Sequence, residues 1–225
     1  VLSDLARPTL ASAMAAFDCG DKVGFKEQAN RYLDLIQDTD RLLASDKNWL
    51  LGTWLERAKA KGVSHQEKRL MEVAARRQIT TWSNKADALD EYAHRQWAGL
   101  MSDYNYPRWK SFFLAHLAVL EEEKPASSLS SWYRDQRMQA DLDWSLETKS
   151  YATQATGDTV AIARQLLKKY APHTRRFAQG EAREVGLPWK LSESSQVFSF
   201  DVNEHIFSAG SYSVSLQYKS GASAL

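Results

Sequence analysis

Apolar side chains recur every three or four residues from the start of the chain to about residue 170. In the first stretch Leu2, Leu5 and Leu10 fall near one face, followed by Met14 and Phe17. This spacing is typical of amphipathic α-helices. It returns along the chain, and the sequence therefore predicts an all-α fold of about eight helices. They cover approximately residues 2–17, 25–43, 47–61, 65–79, 89–100, 107–120, 129–151 and 159–170.

Polar residues, glycine and proline mark several helix boundaries. Ser64 and Glu67 have the spacing of a capping box, in which each side chain satisfies a free backbone amide. Pro107 is predicted to separate the fifth helix from the sixth, because proline is well tolerated in a first helical turn. Gly157 precedes the last helix, and Pro172 is predicted to end it.

The hydrophobic pattern changes after residue 171. Residues 172–194 are basic and punctuated by Gly and Pro, which indicates a linker. From residue 195 to 225 the period becomes two, which predicts a β-hairpin, a partial sheet or the start of a β-sandwich. The sequence thus predicts a helical domain over 1–171, a linker over 172–194 and a β segment over 195–225. The alternating apolar residues are Phe198, Phe200, Val202, Tyr212, Val214, Leu216 and Tyr218.

The overall charge points to no polyanionic partner. The chain has 29 Lys and Arg against 28 Asp and Glu, a balance that predicts binding to neither nucleic acid nor an anionic membrane. Its apolar runs are shorter than the roughly 20 residues that span a bilayer, so no membrane span is expected. Cys19 is the single cysteine, which excludes a disulfide within the chain.

Familiar catalytic and ligand-binding motifs are missing from the sequence. The five histidines show no metal-ligand spacing, and no Gly-rich phosphate loop occurs, so neither a metal nor a cofactor is expected. Asp90 and Glu91 are adjacent, and on a helix they would project in different directions. They therefore make a poor acid–base pair for glycoside hydrolysis.

The most unusual stretch of the chain is residues 82–109, where three tryptophans and three tyrosines surround a loop and two helix ends. Trp82 precedes a polar loop, and Tyr92 lies early on the next predicted helix. Large amphipathic rings at such junctions can line a concave site. The alternative is a core cluster at a helix corner, since buried aromatic residues are common. The pattern alone favours the core cluster.

Five sequence blocks together resemble the C-terminal helical domain of α-N-acetylglucosaminidases of glycoside hydrolase family 89. They are Leu-Leu-Gly-Thr-Trp-Leu-Glu-Arg-Ala at 50–58, Ala-Arg-Arg-Gln-Ile-Thr-Thr-Trp at 75–82, Tyr-Ala-His-Arg-Gln-Trp-Ala-Gly-Leu at 92–100, Tyr-Pro-Arg-Trp at 106–109 and Gly-Asp-Thr-Val at 157–160. The blocks follow the order and spacing of the family, and the similarity covers about residues 1–170. The sequence variation resembles bacterial members more than animal ones.

The resemblance implies an exo-acting enzyme that releases terminal α-linked N-acetylglucosamine from glycans. In this family both catalytic glutamates lie on a (β/α)₈ barrel that precedes the helical domain. The resemblance therefore implies no catalytic residue in this chain, which alone is expected to be inactive, and a barrel of the same protein as its partner. The loop after Trp82 would wall the aglycone side of the sugar pocket, with Trp82, Leu89 and Tyr92 as substrate-binding residues. It also implies an exported protein, secreted, periplasmic or on the cell surface in a bacterium and lysosomal in animal relatives.

Two other functions remain open at this stage. The chain could be a free-standing helical interaction module that never joins a barrel. It could also be a carbohydrate-binding module that works alone, with the strands after residue 195 beginning a sandwich. The order of the five blocks favours the accessory domain over both.

Overall fold

A computed structural model describes residues 2–82 and 93–178 of the chain. These residues form eight α-helical segments, two π-helical segments (π1 and π2) and one 3₁₀ turn at Lys47–Trp49. Leu100, π1 and α5 run on without a break, as do α6, π2 and α7. The described ranges thus hold seven continuous helices, which confirms a mostly helical fold. The segments are α1 Leu2–Asp18, α2 Lys22–Leu43, α3 Leu51–Lys59, α4 His65–Gln78, π1 Met101–Asn105, α5 Tyr106–Leu120, α6 Ser128–Ser131, π2 Trp132–Arg137, α7 Met138–Ser145 and α8 Thr159–Ala178.

The first hydrophobic core joins α1, α2 and α5. Gly20 turns the chain between the first two helices with a left-handed φ of 73°, which glycine adopts without steric cost. Asp21 then caps α2 by accepting a hydrogen bond from the Gly24 amide at 2.9 Å. Burial of a side chain such as Phe25 contributes about 1.5–3 kcal/mol. The buried members of this core are Ala13, Phe25, Ala29, Tyr32, Leu33, Ile36 and Phe113.

The second core joins α3, α4, π1 and α7. The predicted capping box at the start of α4 is confirmed, because the Ser64 and Glu67 side chains each bond the other residue's backbone amide. Arg76 lies within this core with no solvent exposure, and its guanidinium donates to Glu72 Oε1 at 2.8 and 3.1 Å. The apolar members of this core are Leu51, Leu55, Ala75, Ile79, Leu100, Tyr104 and Trp144.

A third core holds α8 against α1 and α2. Ile162, Leu166 and Tyr170 recur every four residues and pack with Leu5 and Leu35. The start of α8 is fixed because Asp158 accepts hydrogen bonds from the amides of residues 160 and 161. Its later part is fixed because the Tyr170 hydroxyl donates to Asp38 Oδ2 at 2.6 Å. None of the described helices is long and apolar enough to cross a membrane.

A buried ion cluster ties α5 to π2 and α7. Asp141 has no solvent exposure. Its two carboxylate oxygens lie 2.8 Å from Arg108 Nε and 3.1 Å from Arg137 Nη2. A buried carboxylate of this kind is tolerated only with charged partners. The cluster therefore fixes how α7 lies against α5.

The predicted fifth helix is wrong over residues 93–99. This stretch is not helical, and within it Ala98 forms an isolated parallel β-bridge with Leu50. The predicted helix break at Pro107 is also wrong. The helix passes through Pro107 by way of π1, in which the Tyr106 amide bonds to the Met101 carbonyl five residues earlier. The wider turn accommodates a residue that lacks an N–H.

Two predicted helix ends also differ from the structure. The helix expected to reach residue 151 ends at Ser145, because the Arg69 side chain binds the carbonyl oxygens of Leu146 and Glu147 directly after it. The last helix continues beyond Pro172 to Ala178. Packing of Leu166 and Tyr170 keeps the preceding turns helical despite the missing amide. The β-hairpin expected within residues 195–225 lies outside the described residues.

His116 is buried in the first core beside Phe17 and Phe112. Its ring Nδ1 lies 2.8 Å from the Phe112 carbonyl oxygen. A carbonyl can only accept, so Nδ1 carries the proton of the neutral ring. Burial lowers the pKa of His116, and the bond to Phe112 offsets this only in part. The folded protein thus favours the neutral imidazole.

We expect acid to destabilise the fold through His116. The unfolded chain binds a proton near the ordinary histidine pKa of about 6.5, whereas the folded chain does so only at lower pH. The stabilisation is complete above pH 6.5 and is lost as the pH falls through the folded pKa. Urea unfolding between pH 7.5 and 5 measures this loss. A His116→Phe variant should show a smaller loss, whereas His65→Gln, at an exposed position, should match the parent chain.

Candidate functional site

Of the three residues predicted to bind substrate, only Trp82 lies within the described residues; Leu89 and Tyr92 lie outside them. Trp82 follows α4, and its side chain is 42% exposed. Its backbone amide donates to the Arg77 carbonyl at 2.6 Å. Trp82 is therefore only partly buried, at the end of the turn that follows α4. The role of all three residues stays a prediction.

The backbone is strained on both sides of residues 83–92. Trp82 has φ 61° and His94 has φ 45°, and both lie in the left-handed region that non-glycine residues rarely adopt. Each such residue costs on the order of 1–3 kcal/mol, and strain of this kind concentrates at binding and active sites. The two ends of the predicted substrate loop are thus set in unusual conformations that the surrounding structure must maintain.

The chain after His94 is anchored to α3. The Ala98 amide donates to the Trp49 carbonyl at 2.8 Å, and the Leu51 amide donates to the Ala98 carbonyl at 3.1 Å. Gly99 follows with φ 90°, and a Cβ there would lie 2.8 Å from the Tyr151 ring. Only glycine meets both requirements at this position. The segment is therefore fixed on one side by α3.

Asp40 of α2 fixes the other side of the same segment. Its Oδ1 accepts hydrogen bonds from the Gly99 amide at 2.7 Å and from the Ser102 amide at 3.0 Å. These amides lie at the start of the helix that includes π1, where backbone donors lack helical partners. The negative charge of Asp40 also favours this helix terminus. Ala98 and Gly99 are thereby held from both sides, by the start of α3 and by α2.

A cleft of about 270 Å³ lies beside this segment. Its walls are the first turns of α1, the middle of α2, residues 94–96 and π1, and Ile79 of the turn before Trp82 also lines it. Polar groups and aromatic rings share the lining, a mixture found in ligand sites and in surfaces that receive another domain. The side chains that bear these groups include Tyr32, Thr39, Arg95, Gln96, Tyr104 and Asn105.

Most residues that line this cleft were not predicted from the sequence. Gln96, which falls within the predicted fifth helix, is instead exposed on this non-helical segment. Tyr104 and Asn105 line the cleft from π1. No sequence pattern predicts a π-helical segment at these residues. The one signal available was the placement of Gly99 and Pro107 on either side of the π-helical segment.

A carboxylate network supports π1 from the side of the second core. Asp103 accepts hydrogen bonds from Lys149, from the Tyr151 hydroxyl and from Trp144 Nε1, the last at 3.2 Å. Burial raises the pKa of Asp103, but these donors outweigh it and hold the pKa below the usual range. Burial and then the bond to Asp103 raise the pKa of Tyr151. Asp103 stays ionised and Tyr151 stays protonated, so the network persists at neutral pH.

The described residues contain no group of three or more His, Cys, Asp and Glu side chains that could hold a metal ion. They form a helical domain with strained backbone at Trp82 and His94 and a neighbouring cleft. The class of protein is thus a helical domain, and its similarity to known proteins identifies the family.

The chain belongs to the family described as the alpha-N-acetylglucosaminidase (NAGLU) C-terminal domain, whose model matches residues 1–169. The human alpha-N-acetylglucosaminidase is 35% identical over 139 residues, which are 62% of this chain and 18% of the human protein. The predicted resemblance to this helical domain is thus confirmed.

Solved structures show the same relationship. A family 89 glycoside hydrolase from Clostridium perfringens, in complex with 2-acetamido-1,2-dideoxynojirmycin, matches with a TM-score of 0.68 and 28% identity over 76% of this chain. The Clostridium perfringens protein in complex with GlcNAc-alpha-1,4-galactose matches with a TM-score of 0.68 and 26% identity over 80% of this chain. In both cases the chain spans 20% of the solved protein.

Proposed function

We propose that this chain is the accessory helical domain of an exo-acting α-N-acetylglucosaminidase. The whole enzyme would hydrolyse terminal α-linked N-acetylglucosamine from glycans, on a (β/α)₈ barrel belonging to the same protein. The observation that carries the proposal is the family match over residues 1–169. The structural similarity to a family 89 hydrolase in complex with GlcNAc-alpha-1,4-galactose supports the substrate class. We also propose that the enzyme is exported, to the cell surface, the periplasm or the medium.

The chemistry divides between the two domains. Hydrolysis with retention requires two carboxyl groups roughly 5 Å apart across the glycosidic bond. The resemblance assigns both to the barrel. The helical domain would then act by positioning, because Trp82, Leu89 and Tyr92 would wall the aglycone side of the pocket. The exposed indole of Trp82 and the strained backbone at Trp82 and His94 support a surface loop built for contact.

We expect Tyr92→Ala and Trp82→Ala to lower kcat/KM in the full-length enzyme. Loss of a substrate hydrogen bond costs about 1–3 kcal/mol, which corresponds to roughly a 5- to 150-fold loss in kcat/KM. Because Trp82 is 42% exposed, its replacement should cost less stability than the roughly 3–5 kcal/mol of a buried tryptophan. Kinetics on an aryl α-N-acetylglucosaminide, with a melting curve for each variant, measure both effects.

Matched variants separate the roles of these side chains. Tyr92→Phe removes only the hydroxyl and should reproduce most of the loss if the hydroxyl binds substrate. Leu114→Ala alters a residue that is 55% exposed on α5 and does not line the cleft, so it should leave kcat/KM unchanged. If both Tyr92→Ala and Trp82→Ala have the kcat/KM of the parent enzyme, these side chains do not wall the sugar pocket. The core-cluster alternative would then be favoured.

A further inference from the structure

Helix α8 carries apolar side chains on a second face. Ile162 and Leu166 lie in the third core, but Val160 and Leu167 are 58% and 60% exposed. Ala163 is exposed between them. Positions separated by three and four residues share one side of a helix. Val160, Ala163 and Leu167 therefore form a stripe, called the outer stripe below, which the described part of the fold leaves open to solvent.

The sequence that follows α8 contains apolar side chains that require a surface to pack against. Residues 195–225 contain two runs in which apolar and polar side chains alternate. An isolated two-stranded hairpin is only marginally stable in water, and packing against a helix is one way to stabilise it. The family match ends at residue 169, so the family domain itself does not account for this segment.

The length of the linker allows the segment to reach the outer stripe. Residues 179–197 can span roughly 60 Å when extended. The distance along α8 from Ala178 back to Val160 is about 27 Å at 1.5 Å per residue. Two parts of one chain also meet at a high effective concentration. This favours a contact that is too weak to form between separate molecules.

The charges of the two parts are complementary. Helix α8 contains five basic residues and no acidic one, and Arg164 lies beside the outer stripe, four residues after Val160 and three before Leu167. Residues 195–225 contain Asp201 and Glu204 against the single Lys219. A slightly acidic segment thus follows a strongly basic helix, an arrangement that favours contact between them.

We propose that residues 195–225 pack against the outer stripe of α8. The apolar side of the first alternating run, with Phe198, Phe200 and Val202, covers Val160 and Leu167. The contact is a property of the chain itself and does not depend on the glycosidase proposal.

Cysteine labelling in the full 225-residue chain tests the contact. The exposed Cys19 is first replaced by serine. Leu167→Cys then reports on the outer stripe, and Leu114→Cys is the matched control, since the two leucines are 60% and 55% exposed. The maleimide labelling rate of each folded variant is divided by the rate of the same variant unfolded in urea, and the two ratios are compared. Leu167→Cys should react at least about tenfold more slowly than Leu114→Cys, because labelling requires the contact to open.

Second-site variants identify what covers the stripe. Phe200→Asp should restore the rate at Leu167→Cys to within about twofold of the control. Ser199→Asp changes the neighbouring residue, which projects to the opposite side of a strand, and should leave the protection in place. Equal rates at the two cysteines overturn the proposal. So does protection that survives Phe200→Asp, or that weakens on dilution and thus comes from a second copy. Because the experiment uses these 225 residues alone, no further domain can account for the protection.

Discussion

Replacing Arg76 by leucine should lower the free energy of unfolding by about 3–5 kcal/mol, the usual cost of breaking a buried ion pair from one side. Arg76 is completely buried, and Glu72, which it contacts, is 6% exposed. Its Nη2 also donates to the Lys149 carbonyl at 2.8 Å, and its guanidinium lies over the Trp144 ring at 4.8 Å. The substitution leaves the Glu72 carboxylate without this partner and releases the segment that contains Lys149.

Denaturant unfolding of single and double variants measures this effect. Replacing both Arg76 and Glu72 by leucine should recover part of the loss, because no lone charge then remains in the core. Lys26→Ala is the control, since its ion pair with Glu121 is largely solvent-exposed and worth about 0–1 kcal/mol. If Arg76→Leu costs no more than Lys26→Ala, the buried pair does not hold the second core together.

Replacing Asp141 by alanine is expected to cost a similar amount, about 3–5 kcal/mol. The substitution removes a buried carboxylate that contacts two guanidinium groups, those of Arg108 and Arg137. Their side chains are only 14% and 10% exposed, so their positive charges would repel each other with little screening by water. The packing of α7 on α5 should weaken first.

A neighbouring aspartate provides the comparison. Asp143 lies two residues along α7, is exposed and accepts a hydrogen bond from Gln139 at 2.7 Å. Asp143→Ala should therefore change the free energy of unfolding by about 0.5 kcal/mol or less. Melting curves and urea midpoints of the two alanine variants give the difference. Equal stability of the two would mean that the buried cluster contributes nothing specific.

The hydrophobic period located most of the helices because they bury side chains at helical spacing. Helix α1 buries Leu5, Thr9 and Ala13, four residues apart, and the capping residues Asp21 and Ser64 act within a single turn. Residues 93–99 show why the same rule fails elsewhere. Tyr92, Gln96 and Leu100 have helical spacing, but pairing of Ala98 with Leu50 and the bonds to Asp40 keep residues 93–99 from forming a helix. These partners are distant in sequence, and tertiary contacts override a local period.

The candidate site was predictable only in part. The resemblance located Trp82, and the loop composition placed it at a boundary. The left-handed backbone of Trp82 and His94 could not be predicted, because glycine and asparagine are the usual signals of that conformation. The burial of Arg76 was also hidden, since arginine is mostly exposed and its partners Lys149 and Trp144 lie far along the chain.

The continuous helix made of π1 and α5 contributes side chains to two separate cores. Tyr104 is buried in the second core and Phe113 in the first, on either side of the π-helical register. Loss of that helix would therefore expose both cores together. Unfolding of either core would remove the shared helix from the other core. The described domain should therefore unfold as one cooperative unit. The π-helical segment thus makes the stability of the α1–α2 pair and that of the α3–α4 pair interdependent.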